Sequence, residues 1–235
     1  GNRVSFVMGW AYWVCWLALA MAEVTAIGLY FQLWFPQVPQ WLPGLVTLLI
    51  LLGLNLMTVS TFGELEFWFA LIKILAIVIL IAVGVILVLL HFHSASGYLA
   101  TPANLVNDGG FFATGTKGFM LSFQMVVFAF VGIEMVGVTA AEAENPKVVI
   151  PKAINGIPVR IMLFYIGALA VIMCIYPWSK LSPSNRPFVL VFRDIGLPGA
   201  ASIVNFVVIT AAASACNSSL YTTGRMLAEL TSTAH

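Results

Sequence analysis

Long apolar stretches alternate with short polar breaks along the whole chain. Six stretches approach or exceed the roughly 20 residues that a helix needs to cross about 30 Å of hydrocarbon. We therefore predict six transmembrane helices, at approximately residues 5–35, 42–60, 67–90, 117–141, 157–177 and 199–227. The breaks are rich in Pro, Gly and Asn, which favour turns. We expect exposed connections there, at approximately residues 36–43, 97–118 and 183–198, and a short loop over residues 58–66.

Composition strengthens the membrane interpretation. Hydrophobic residues make up 61% of the 235-residue chain, charged residues make up 8%, and the mean hydropathy is +1.03. Soluble domains have roughly 45–50% apolar and about 25% charged residues. We therefore predict an all-α integral membrane protein with a single transmembrane domain over residues 1–235. Lys and Arg divide almost evenly between the two predicted sides, so charge does not determine the orientation.

The remaining composition argues against several function classes. The net charge of +1, without a basic cluster, offers no surface for nucleic acid. Cys15, Cys174 and Cys216 lie in apolar runs without metal-type spacing, so we expect reduced core thiols. His91 and His93 lack a third ligand nearby, so we expect no metal site. The ionisable residues do not form a nucleophile-base set at any helical spacing, so we predict that the protein is not an enzyme. The oligomeric state is not indicated.

Charged residues inside predicted membrane spans are costly and require an explanation. Lys73 follows Glu66 by seven residues, which corresponds to a depth of roughly 10 Å. Its side chain could extend back to the nearer interface. Alternatively, it points inward and exchanges a proton, because a lysine removed from water loses its charge more readily. Glu23 lies past the middle of the first span and either pairs with a polar group or lines a pathway.

The fourth span contains a candidate helix break in Phe128-Ala-Phe-Val-Gly-Ile-Glu134. Gly132 weakens the helix in mid-membrane, and Glu134 follows two residues later. Irregular backbone at this depth survives where it lines a cavity, and its polar groups can bind a charged solute there. The alternative is that Gly132 only allows close helix packing.

The sixth span is unusually rich in small and hydroxyl residues for a lipid-facing surface. Its central segment, residues 210–223, includes Ser214, Asn217 and Ser218. Small residues let helices approach closely, so this composition predicts either a helix contact or the lining of a pathway.

Four ordered segments resemble the bacterial amino acid permeases of the amino acid-polyamine-organocation superfamily. They are Phe62-Gly-Glu-Leu-Glu-Phe-Trp-Phe-Ala-Leu-Ile-Lys73, Phe128–Glu134, Thr139-Ala-Ala-Glu-Ala-Glu-Asn-Pro146 and Ile150-Pro-Lys-Ala-Ile-Asn155, and Asn217-Ser-Ser-Leu-Tyr-Thr-Thr-Gly-Arg-Met-Leu227 continues them. The resemblance covers almost the whole chain. It implies a LeuT-like fold of inverted five-helix repeats, in which our six spans would be transmembrane helices 3 to 8 of a multi-pass bacterial plasma membrane protein.

The resemblance also implies a transport site. By it, backbone carbonyls of an unwound segment receive the amino group of an amino acid, and Phe128 is a candidate aromatic gate. The implied substrate-binding residues are Phe128, Ala129, Phe130, Val131, Gly132 and Ile133. Lys73 would couple a proton to transport, with Ser214, Asn217 and Ser218 as plausible neighbours. No cofactor is implied other than the proton as coupling ion, and the expected partners are an amino acid and the lipid bilayer.

The same resemblance gives two further expectations, one about the substrate and one about how much of the family's fold the chain contains. Residues 154–160 and 205–215 look most like permeases for D-serine, D-alanine and glycine, with aromatic and γ-aminobutyrate permeases next. A non-transporting membrane sensor and an ion channel stay open as rivals. The first broken helix of the family, helix 2 and helices from 9 onward are missing, and residues 228–235 lack the usual acidic-Gly-Pro stretch. We therefore expect a piece of a longer protein that does not transport by itself.

Overall fold

The computed structural model describes residues 2–56, 59–110, 112–133, 146–182 and 186–232. Within these ranges the regular structure is helical, apart from a single isolated bridge between His93 and Leu99. The helices are α1 Asn2–Phe31, α2 Trp41–Asn55, α3 Val59–Leu89, α4 Gly115–Ala129, α5 Pro146–Arg160, α6 Ala168–Ile175, α7 Pro187–Asp194 and α8 Pro198–Ser232. A π-helical segment, Ile161–Gly167, joins α5 to α6, and short 3₁₀ turns occupy Pro102–Leu105 and Trp178–Lys180.

Four helices in the described part of the chain are long and apolar enough to cross a membrane. Their apolar spans are Val4–Phe31, Phe67–Leu89, Ile150–Ile175 and Gly199–Thr231. The two other predicted spans correspond to shorter helices, since α2 and α4 each contain 15 residues, or about 22 Å of helix. The prediction of an all-α membrane protein is confirmed, whereas helix α2 ends five residues before its predicted end.

Two predicted connections are helical. The backbone of α3 begins at Val59, so the expected loop over residues 58–66 is largely the first part of that helix. The fifth helix begins at Pro146, eleven residues before our predicted start at 157. Proline is compatible with the first helical turn, because its missing N–H has no intrahelical partner there. Pro151 and Pro158 lie inside α5, and the π-helical segment follows Pro158 closely.

The chain forms two compact units, of which the first comprises Gly1–Ala76 and Pro198–His235. Helices α1 and α8 pack antiparallel in this unit. Two hydrogen bonds show this direction: Trp13 donates to the carbonyl of Thr223 at 3.0 Å, and Asn205 donates to the carbonyl of Tyr30 at 3.1 Å. Cys216 is fully buried against Ala20 between these two contacts. The small and hydroxyl residues of α8 therefore form a buried helix contact.

The second unit comprises Ile77–Leu197. Its core contains α6 and α7, and Gly84 of α3 allows Val171 of α6 to approach so closely that an added Cβ would lie 1.8 Å from a Val171 methyl carbon. Helix α7 corrects our expectation of an exposed connection over residues 183–198. Pro187 starts it, and Val189 to Phe192 are buried. The carboxylate of Asp194 then accepts hydrogen bonds from other parts of the unit.

The three cysteines differ in burial. Cys174 and Cys216 are buried, as expected for core thiols, but Cys15 is exposed, which corrects our placement of it in the core. Helix α1 packs through its face toward α8, and Cys15 lies on another face. All three thiols are free.

Candidate functional site

Lys73 is the cation at the centre of the first candidate site. Its Nζ donates a hydrogen bond of 2.7 Å to the Oγ of Ser214. Ser214 is fully buried on α8, whereas Lys73 is half-buried on α3. The lysine is therefore directed at a neighbouring helix within the first unit, which favours the inward orientation over extension to the interface. Hydrogen bonds with a charged partner contribute about 1.5–3 kcal/mol.

Glu23 of α1 belongs to the same region. It is half-buried, and it lies close enough to Lys73 for the two charges to interact. Glu23 also lies close enough to the thiol of Cys216 on α8 for an electrostatic interaction. Charges in a membrane span are commonly paired with one another. An acid on α1, a base on α3 and a hydroxyl on α8 thus come together from three helices.

Asn217 and Ser218 lie one turn beyond Ser214 on α8. The side-chain carbonyl oxygen of Asn217 accepts a hydrogen bond of 2.7 Å from Asn55 of α2. Ser218 is half-buried, and its backbone carbonyl accepts the hydroxyl of Thr222. Asn217 therefore ties α2 to α8. Our sequence interpretation missed Asn55, although a lone amide at the end of a Leu-rich helix is a signal that could have identified it.

The second candidate site is the end of α4, in the second unit. The helix stops at Ala129, and the backbone hydrogen bonds then shorten to turns, with Val131 N–H donating to the Phe128 carbonyl and Ile133 N–H to the Phe130 carbonyl. Gly132 adopts φ +99°, which an α-helix does not contain and which glycine accepts most readily. The residue thus has a conformational reason to be glycine that does not depend on helix packing.

The segment implied as a substrate site is partly accessible. The Phe128 side chain is 48% exposed, and residues 130–133 are half-buried. Phe130 stacks on Tyr165 of the π-helical segment, with ring centroids 5.2 Å apart and planes inclined by 18°. Glu134 lies outside the described residues, as do residues 135–145, so the prediction that the helix resumes after the break stays a prediction.

One cavity in the described part of the second unit lies apart from the substrate-site segment. A cavity of about 290 Å³ lies at the opposite end of α4, where Gly115, Phe119 and Trp178 line it, and it does not include residues 128–133. In the described ranges, His, Cys, Asp and Glu do not form a group of three or more that could hold a metal ion.

Long apolar helices that bring a base, an acid and a buried hydroxyl together define a polytopic membrane protein with polar groups between its helices. Comparison with known proteins gives its family. Residues 1–234 match the amino acid permease family. The chain is 61% identical over its whole length to the amino-acid permease AapA of Bacillus subtilis (strain 168) and covers 51% of that protein. It is 53% identical over 227 residues to the D-serine/D-alanine/glycine transporter of Escherichia coli (strain K12), which is 97% of this chain and 48% of that protein.

The chain belongs to the amino acid permease family. It spans about half the length of the curated relatives that it matches. Those relatives are named as permeases and transporters, so the prediction that the protein is not an enzyme is confirmed. Family membership together with several membrane-length helices makes it a multi-pass protein of the bacterial plasma membrane.

Proposed function

We propose that this chain is part of a permease that imports a small neutral amino acid, such as D-alanine, D-serine or glycine, together with protons. The hydrogen bond between Lys73 and Ser214 carries the proposal, because it joins a titratable group to a buried hydroxyl on another helix. A permease of this kind uses the proton gradient by changing its preferred packing when a proton binds or leaves.

Protonation of Lys73 is the coupling step in this proposal. The ammonium group donates a charge-assisted hydrogen bond to Ser214 and attracts Glu23. Charge-assisted hydrogen bonds are roughly twice as strong as neutral ones. Loss of the proton therefore weakens the attachment of α3 to α8 and leaves Glu23 without its counter-charge. A ligand or proton shifts a conformational equilibrium only by its differential affinity for the two states, and this contact supplies such a difference.

The end of α4 is the substrate-binding element in this proposal. A helix that stops at Ala129 and turns at Gly132 leaves its last carbonyl groups at a helix terminus, where they carry partial negative charge. That end suits the ammonium group of an amino acid. The aromatic ring of Phe128, which is 48% exposed, would cover the bound molecule.

The substrate class rests on relatives. The Escherichia coli protein at 53% identity is named for D-serine, D-alanine and glycine, and its similarity covers nearly the whole chain. An aromatic amino acid or γ-aminobutyrate is the alternative within the same family. A non-transporting membrane sensor is the alternative outside transport.

The first experiment measures uptake of radiolabelled D-alanine, glycine, phenylalanine and γ-aminobutyrate into proteoliposomes. The full-length protein is reconstituted with and without an imposed inward proton gradient. We expect the gradient to stimulate uptake of D-alanine or glycine. Stimulated uptake of phenylalanine or γ-aminobutyrate alone would replace the proposed substrate class, and binding without any uptake would favour the sensor.

The second experiment tests the coupling residue by Lys73→Ala. We expect gradient-driven accumulation to fall to the level seen without a gradient, whereas equilibrium substrate binding stays within about twofold of wild type, because the site on α4 keeps its residues. Lys147→Ala, at an exposed position of α5, is the matched control and should transport normally. Accumulation by Lys73→Ala at the wild-type level would refute the coupling role.

A further inference from the structure

The π-helical segment Ile161–Gly167 is the most unusual backbone in the second unit. Helices of this type are rare and usually last for a single turn, and they are frequent at functional sites. Each π turn carries one residue more than an α turn, which rotates the preceding side chains by about 100° relative to an uninterrupted α-helix. The segment therefore decides which side chains of this helix meet α4.

The helix on the carboxyl side of this segment is held in place. Ala168, Val171 and Ile172 of α6 are buried, and Val171 lies against Gly84 of α3. Gly167, the last π-helical residue, lies near Ile81 of α3, since an added Cβ would be 3.4 Å from the Ile81 Cδ1. The π-helical segment therefore continues into a helix that is packed against α3, and this packing sets the direction of its side chains.

Tyr165 is the residue of this segment that contacts the end of α4. Its ring lies nearly parallel to that of Phe130, with ring centroids 5.2 Å apart. Phe130 is the C-cap of α4, and its N–H donates to the carbonyls of both Val126 and Val127. The stack therefore acts on the residue at which helical geometry gives way to the turn containing Gly132.

We propose that Tyr165 is a positioning residue for substrate binding. By stacking on Phe130, it fixes the residue at which α4 ends and thereby the direction of the turn that binds the amino acid. This inference rests on the proposed function of residues 128–133. It predicts that the ring of Tyr165 matters and that its hydroxyl does not.

The test compares Tyr165→Phe with Tyr165→Leu in the full-length protein. An aromatic pair contributes about 0.5–1.5 kcal/mol, which corresponds to roughly twofold to twelvefold in an equilibrium constant. We expect Tyr165→Leu to raise the Kd for the transported amino acid by that factor, and Tyr165→Phe to restore the wild-type value. Phe164→Leu, the neighbouring aromatic-to-leucine change in the same π-helical segment, is the control and should leave the Kd unchanged.

A double-mutant cycle separates positioning from general stability. If Tyr165 acts through Phe130, Tyr165→Leu should add nothing to the Kd of Phe130→Leu, whereas independent sites would add their effects. Lower thermal stability of Tyr165→Leu with an unchanged Kd would overturn the inference and leave only a structural role. If the wild-type protein bound no amino acid, the proposed function itself would be refuted. If Tyr165→Leu bound the amino acid with the wild-type Kd, only the role of Tyr165 would be refuted.

Discussion

Gly28, near the end of α1, makes the sharpest stability prediction. A Cβ added there would lie 2.2 Å from the backbone oxygen of Gln40 and 3.1 Å from its carbonyl carbon. Ordinary van der Waals contacts begin at about 3.4 Å, so the Gln40 carbonyl would have to retreat by about 1 Å. Gln40 precedes the first residue of α2, and its side chain donates to the carbonyl of Thr25 at 3.2 Å. The clash is therefore with a residue that is held by the start of α2 and by its side-chain hydrogen bond to Thr25.

The magnitude follows from two opposing effects. Overpacking costs typically about 1–3 kcal/mol. The change from glycine to alanine in a helix returns about 0.5–1 kcal/mol through lower unfolded-state entropy and higher propensity. Gly53→Ala in α2 gains the second effect alone, because nothing lies within 4 Å of its added Cβ. The difference between Gly28→Ala and Gly53→Ala therefore isolates the clash, at about 1–3 kcal/mol.

The assay is equilibrium unfolding of the full-length protein in mixed micelles of mild detergent and sodium dodecyl sulfate, followed by tryptophan fluorescence. We expect Gly28→Ala to lower the free energy of unfolding and Gly53→Ala to leave it equal or raise it. Equal free energies for the two variants would show that the segment before α2 yields without cost, and the close approach at Gly28 would then not be required for the fold.

Two further changes use the same assay. Tyr176→Phe should lower the free energy of unfolding by about 1.5–3 kcal/mol, since the Tyr176 hydroxyl donates at 2.9 Å to the buried carboxylate of Asp194. Tyr98→Phe, which keeps the edge contact with the Tyr176 ring, is the control. Equal losses from both variants would contradict the role of this hydrogen bond. In a double-mutant cycle, the losses of unfolding free energy from Asn217→Ala and Asn55→Ala should show a coupling energy of about 0.6 kcal/mol and at most about 1.7 kcal/mol, the range for interhelical hydrogen bonds in membranes. Additive losses would mean that the two amides act separately.

Hydrophobic length along the chain predicted most of the helices. The apolar spans of α3 and α8 agree with the predicted helices at 67–90 and 199–227 within about four residues. This success has a simple cause. Unbroken apolar sequence of about 20 residues satisfies the bilayer only as a helix, whatever its neighbours are. The glycine break at the end of α4 was predictable for a similar local reason, because Gly132 has a conformational freedom that its neighbours lack.

Helix ends in polar sequence were less predictable. The segments before Phe67 and before residue 157 contain Glu, Lys and Pro, which we interpreted as connections, yet both are helical. Polar residues can extend a helix beyond the hydrocarbon region, and hydrophobicity alone does not register that extension. Helix α7 was missed because four buried apolar residues after a proline are too short a run to be distinguished from a loop.

Sequence alone determined that this protein is a helical membrane protein and which residues are costly to place there, because each such cost belongs to one residue and its depth. Tertiary structure decided what those residues do. Lys73 and Ser214 are 141 residues apart, and their hydrogen bond depends on the packing of α3 beside α8. Tyr165 meets Phe130 through a π-helical segment supported by α3. Contacts between distant segments depend on how whole helices pack, and a single sequence records no such distances.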